Sequence, residues 1–304
     1  MTDISTVVAN IIANNVPVHD YERVLVLSDD STAAVAEVFV EGLLSQGVEP
    51  MVHQMADRTK SGEEPTSAAL DAILSADLVF AMTKHSLTHT AARKQANAQG
   101  TAFVTMPGIT LEMLTNGAMT ADYVRVEEET LAATAKLTSC SLVRIHSGDD
   151  LVLDVPISER PGLASTGVYL AKGTSGNLPS GEAYIAPDEG KASGLLEVNG
   201  SIAGIGLVEE PTILSIENGR LVGATGETGA RLLDMLGDGL GRNVAELGIG
   251  TNHAARVIGN ILEDEKAYNT IHVAFGSNNT FGGTVAAGVH IDCIVSAPSI
   301  EWVS

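Results

Sequence analysis

The stretch richest in chemistry lies near the C-terminus, Gly288-Val-His-Ile-Asp-Cys-Ile-Val-Ser296. Residues two apart on a strand project from the same side. Val289, Ile291 and Cys293 therefore share one face, and His290 and Asp292 share the other. An imidazole beside a carboxylate is a natural ligand pair for a divalent cation. Taken alone, the pair equally suits the polar face of an edge strand. Three further segments place ionisable groups where an apolar strand has no structural use for them. Glu182 opens the short run Glu-Ala-Tyr-Ile185. Glu246 stands between Ala245 and Leu247, with Gly248 two residues on. His272 faces away from Ile271, Val273 and Phe275. A buried carboxylate or imidazole has to be paired, hydrogen-bonded or bound to a metal. Glu182, Glu246, His272, His290 and Asp292 together suffice for one hydrolytic metal with open positions, or for two metals sharing a carboxylate.

Other candidates are weaker. Lys84-His-Ser-Leu-Thr-His89 sits where a strand gives way to a helix, the edge of an open α/β sheet at which ligands bind. A helix N-terminus attracts anions, so His89 and Arg93 are expected to receive a substrate carboxylate. Thr88 equally serves as a plain N-cap. Glu263-Asp-Glu265, next to Lys266, reads as a solvated turn or helix start. His253 is an outer wall of the site rather than a ligand. Ser165 and Ser175 lack a nucleophile-elbow setting, and Cys140 and Cys293 lie in apolar runs as free thiols, which disfavours covalent catalysis.

The elements that must carry these residues divide the chain. Apolar runs at 23–27, 50–55, 78–82 and 102–105 alternate with helical patterns at 32–46, 67–75 and 88–99. That alternation predicts an α/β wound domain around a parallel sheet, over residues 1–148. No Gly-x-Gly-x-x-Gly follows the first strand, so a dinucleotide site has no support. Residues 110–140 are mostly helical, and Ser147-Gly-Asp-Asp150 marks the boundary. Residues 149–304 form a β-rich metal-binding domain, with strands at 151–155, 194–198, 212–217 and 220–224 and an Asn218-Gly219 hairpin turn. Gly229–Leu240 is its one clear helix.

Composition narrows the function classes. The chain has 304 residues, 44% of them apolar, and a formal charge of −21. That length suits two domains. The charge argues against nucleic acid as a partner, which would need clustered Lys and Arg. No apolar run reaches spanning length and no signal pattern opens the chain, so a cytoplasmic enzyme without a membrane partner is expected.

With these residues in place, the sequence resembles the aminopeptidase T (thermophilic aminopeptidase) family of metallopeptidases. The carrying segments are Asn177–Pro187, Ala245–Asn252, Gly259–Lys266, His272–Gly276 and His290–Asp292, with a looser likeness over Ser86–Arg93. The resemblance implies two divalent ions (Zn, Mn or Co) on Glu182, Glu246, His272, His290 and Asp292, a small-molecule or short-peptide substrate, and a homo-oligomer. The family's tyrosine seven residues after the first histidine is Asn279 here, a neutral donor for an oxyanion. Glu182 and His89 complete the expected catalytic set, with Glu182 or Glu246 bridging metals or accepting the proton of the water. A second branch, the 2,5-dihydroxypyridine 5,6-dioxygenases, is similar too, and implies one Fe(II) on two histidines and an aspartate. In that branch the first iron histidine aligns with Glu246, and the counterpart of Glu182 is not acidic. Retained carboxylates at both places favour a hydrolytic ion. The expected fold and site converge on one test. His290→Ala and Asp292→Ala should each remove most of the affinity for a divalent ion while the chain stays folded, and wild-type metal content in both variants would rule the site out.

Overall fold

The computed structural model describes residues 2–171 and 173–304. They fall into two units, Met1–Arg125 with Gly167–Ser180, and Val126–Thr166 with Gly181–Ser304. This partition differs from a single boundary at 148. Ser147-Gly-Asp-Asp150 is a hairpin turn joining Leu142–Ser147 to Leu151–Pro156, with Gly148 and Asp150 at φ 54° and 66°. Turns and linkers share that Gly/Asp composition, which is why the sequence signal for one resembles the other.

In the first unit, five parallel strands are ordered Met51–Met55, Val24–Asp29, Leu78–Met82, Ala102–Thr105, Ser175–Asn177. Strands in a parallel sheet are covered on both faces and read as continuous apolar runs. Val24–Asp29, Leu78–Met82 and Ala102–Thr105 are buried at every position. The helices Ala33–Ser45, Ser67–Ser75 and Ala91–Ala98 connect them. The last of these starts later than expected, because Thr90 rather than Thr88 is its cap: Thr90 Oγ1 accepts from Arg93 N at 3.2 Å. The fifth strand arrives from beyond the expected boundary.

The second unit contains two antiparallel sheets. One has six strands, in the order Arg220–Ala224, Thr212–Glu217, Ser193–Val198, Leu151–Pro156, Leu142–Ser147, Ser299–Val303. The other has seven, in the order Gly206–Leu207, Ser201–Ile202, His290–Ser296, Thr270–Gly276, Val244–Gly250, Glu182–Ile185, Leu163–Ser165. One buried cluster joins them: Val143, Ile145, Leu153, Leu196 and Leu214 from the first sheet meet Ile185, Leu247, Val273, Phe275 and Cys293 from the second. Side chains of facing sheets interdigitate in this way in β-sandwiches. Asn218 and Gly219 take φ 49° and 71°, the paired positive values of a type I′ hairpin turn. The helix Gly226–Leu236 begins earlier than expected and stops at Gly237, whose φ is 63°. Among the described residues, no helix is long and apolar enough to cross a membrane.

Candidate metal centre

Strand register assembles the site. Across the seven-stranded sheet, Glu246 lies opposite Ala274 and Ala274 opposite Asp292. His272 lies opposite Gly248, His290 opposite Gly276, and Glu182 opposite Gly250. Directly opposed residues share a face. All five predicted ligands therefore stand on one face, while Ile185, Leu247, Val273, Phe275 and Cys293 fill the core on the other. A register shift between Val244 and Glu246 is essential for this. With Val244 opposite Phe275, a regular ladder would set Glu246 opposite Val273, on the core face. The extra residue, Ala245, moves Glu246 opposite Ala274 and onto the site face, the re-aiming for which β-bulges are used next to functional sites.

The face is cleared by small residues. A Cβ on Gly248 would lie 2.0 Å from His272 Nε2, so only glycine lets that imidazole lie flat across the neighbouring strand. A Cβ on Gly250 would lie 2.0 Å from Ala267 O, so glycine here admits the backbone that carries Lys266.

The side chains converge in two groups, Glu246 with His290 and Asp292, and Glu182 with Glu265 and His272. In each group the ligand atoms lie within 4.8 Å of one another. His290 Nε2 is 3.3 Å from Asp292 Oδ1 and 3.5 Å from Glu246 Oε2. Its Nδ1 is 2.8 Å from Ser277 O. A ring nitrogen that donates to a backbone carbonyl leaves the other as the ligand, which is the usual arrangement of a metal-binding histidine. His272 is fully buried, with Nε2 3.2 Å from Glu246 Oε1 and 3.7 Å from Glu182 Oε2. Its Nδ1 has no hydrogen-bond partner among the described residues, so every polar contact of the ring goes through Nε2 into the carboxylates. Phe281 meets both His290 and Tyr184 edge-on, with centroids 5.9 and 5.8 Å apart, and closes one side with aromatic surface. Oxygen and imidazole donors converging in this way fit a divalent ion.

Burial lowers the basicity of both histidines, but their carboxylates outweigh it. The hydrogen bond that His272 donates to Glu246 and the charges of Glu182, Glu246 and Asp292 raise His272 to about 9. Asp292 and Glu246 raise His290 to about 10. Burial also works against Asp292, yet His290 and His272 bring it down to about 2.

Two corrections follow. Glu263-Asp-Glu265 is not a solvated turn: Glu263, Asp264 and Lys266 are fully buried. Arg256 Nε pairs with Glu263 at 3.2 Å, and the Ile258 and Gly259 amides donate to Asp264 at 2.7 and 3.0 Å. Lys266 Nζ donates to Glu182 Oε1 at 2.9 Å and also to Glu265 Oε1. Glu265 and Lys266 are thus site residues hidden in a charged run of ordinary surface appearance. The signal that could have exposed them is Gly248-Ile-Gly250, two glycines on the site face of a strand, which marks a close approach.

The remaining candidates lie on other segments. Asn279 is exposed in the loop after Thr270–Gly276, whereas its neighbour Asn278 is buried and binds Glu189 Oε1 at 3.1 Å. His89 and Arg93 belong to the first unit, His89 exposed and Arg93 donating to Asn97 Oδ1 at 3.0 Å. His253 stacks on Tyr268 at 3.7 Å with Nε2 2.7 Å from Glu129.

Comparison with known proteins agrees with this architecture. Residues 14–301 match the family described as NicX: 2,5-dihydroxypyridine 5,6-dioxygenase. The solved 2,5-dihydroxypyridine dioxygenase from Pseudomonas putida KT2440 superposes with a TM-score of 0.73 at 19% identity, covering 98% of this chain and 92% of that one. Wild-type AmpT from Thermus thermophilus superposes with a TM-score of 0.68 at 16% identity, covering 99% of this chain and 95% of that one. At these identities the likeness is one of fold. No curated protein sequence matches.

Two outcomes are expected from the geometry. Gly248→Ala should displace His272 and weaken divalent-ion binding by about tenfold or more, the scale on which altered ligand support acts. Calorimetric titration of the folded variant checks this, and unchanged affinity would show that His272 does not depend on the cleared strand. Second, imidazole must be deprotonated to bind an ion, and His290 is charged at neutral pH because its pKa is about 10. Raising pH removes the competing proton, so apparent affinity should climb roughly tenfold per pH unit for each proton released between pH 6 and 8, and level off only above the raised value. Titration in buffers of different ionisation enthalpy counts those protons. Release of none would contradict His290 as a ligand.

Proposed function

The chain belongs to the NicX, or 2,5-dihydroxypyridine 5,6-dioxygenase, family, and within it we propose a metal-dependent hydrolase that cleaves an amide or peptide-like bond of a small molecule. The observation that carries this reading is the pairing of two carboxylates, Glu246 and Asp292, with the single imidazole of His290. Such an oxygen-rich set favours a hydrolytic ion such as Zn, Mn or Co. A divalent ion held there supplies acidified water and polarises a carbonyl oxygen. The protein's own residues divide the remaining work. Glu182 has one oxygen tied to Lys266 and the other turned toward His272, which fixes its orientation for accepting a proton from water and returning it to a leaving amine. Phe281 meets His290 edge-on and packs in turn on Tyr184, which limits water on that side. Asn279 is assigned the neutral donor to a developing oxyanion.

The family match supports one specific alternative, Fe(II)-dependent ring cleavage of a dihydroxylated N-heteroaromatic through His272, His290 and Asp292. Anaerobic purification with elemental analysis, followed by parallel assays, separates the two. The hydrolase is expected to turn over amides or cyclic imides when loaded with Zn, Mn or Co, and to lose that activity in Glu246→Ala. One iron per chain, with oxygen consumed alongside a dihydroxypyridine and no amide turnover, would replace it with the dioxygenase.

A further inference from the structure

The second donor group on the sheet face, Glu182, Glu265 and His272, has the composition of a metal site, yet two of its three members already hold a cation. Lys266 is fully buried, and its Nζ donates to Glu182 Oε1 at 2.9 Å and to Glu265 Oε1. An ammonium is a compact positive charge with three donors and no acceptor. It competes with a divalent ion for the same carboxylate oxygens, and two positive charges that close repel strongly away from water.

Lys266 is also held in place by its backbone. Its amide donates to Glu263 O at 3.0 Å, and its carbonyl accepts from Asn252 N at 2.8 Å. The next residue, Ala267, presses its carbonyl where a Cβ on Gly250 would lie only 2.0 Å away. The segment therefore has no room to slide toward the strand, and the buried stem gives Nζ no route into solvent. By contrast, no lysine or arginine forms an ion pair with the Glu246, His290 and Asp292 group among the described residues, where the partners of each carboxylate are imidazoles.

We propose that Lys266 is the built-in cation of the second cluster, so that this sheet face takes one divalent ion, at Glu246, His290 and Asp292, and excludes another. The inference rests on the metal-centre reading above and deepens it by fixing how many ions the centre accepts. Lys266 is a positioning residue: it occupies the carboxylates of Glu182 and Glu265 and directs the free oxygen of Glu182 toward His272.

The test uses the full chain, stripped with chelator and titrated with Zn or Mn under calorimetry, with bound metal counted by elemental analysis. Wild type is expected to bind one ion per chain, and Lys266→Met, similar in length but uncharged, to bind two. Two ions in wild type, or a single ion in folded Lys266→Met, would overturn the proposal. Should Lys266→Met fail to fold, Glu182→Gln decides: it should keep one ion per chain with affinity within about tenfold of wild type, and loss of the bound ion would overturn the proposal. A wild-type chain that binds no divalent ion removes the metal-centre reading itself, an outcome distinct from binding two.

Discussion

Charge set on a sheet that also closes a core has to be neutralised where it stands, and the second unit is organised by that requirement. One face of the seven-stranded sheet seals the sandwich, and the other gathers the carboxylates of Glu182, Glu246, Glu265 and Asp292. Desolvation of an ion costs several kcal/mol, and removing one partner of a buried pair costs about 3–5 kcal/mol because the other is left uncompensated. Lys266, His272 and His290 are the cationic partners, each bound to two carboxylates. The raised basicity of both histidines expresses the same balance. A divalent ion would take over the compensation that their protons provide, which links metal binding, proton release and stability of this face in one equilibrium.

Space is the second constraint, and it is met by omission. Gly248, Gly250, Ala274 and Gly276 lie on the site face opposite His272, Glu182, Asp292 and His290. Each large ionisable side chain thus faces a neighbour with little or no side chain. The bulge at Ala245 does the complementary job, turning Glu246 out of a core position without disturbing Val244, which stays buried against Phe275. Polar chemistry is accommodated here by local changes of register and volume in a sheet whose other face remains conventional.

Much of this was legible in the sequence, for identifiable reasons. The parallel sheet announces itself because its three central strands read as near-continuous apolar runs, and Ser67–Ser75, Leu78–Met82 and Ala102–Thr105 fall where the periodicity places them. The convergence of Glu182, Glu246, His272, His290 and Asp292 was legible because a charge in an apolar run contradicts its surroundings. The unit boundary was not, since Gly148-Asp-Asp150 has the composition of any tight turn and a turn does not reveal what it joins. Lys266 and Glu265 were hidden for the opposite reason to the ligands: they sit among other charges, where nothing local conflicts. Their burial depends on Gly250 and on the pairing of Asn252 with Ala267, both set by chain segments that meet only in three dimensions.

The same geometry bears on how one fold is shared by proteins named as a dioxygenase and as an aminopeptidase. Register fixes where donor atoms can stand on the sheet face but not which atoms they are. Position 246 shows this most clearly, because its place opposite Ala274 and beside His272 comes from the bulge rather than from the residue that occupies it. A carboxylate there adds an oxygen donor and a negative charge, and an imidazole would add neither. The hardness of the donor set on this face therefore turns on the side chain at position 246, in a place that the bulge provides. The aromatic edge of Phe281 meets His290 and the ammonium of Lys266 meets Glu182, so one donor group has an apolar neighbour and the other an ionic one.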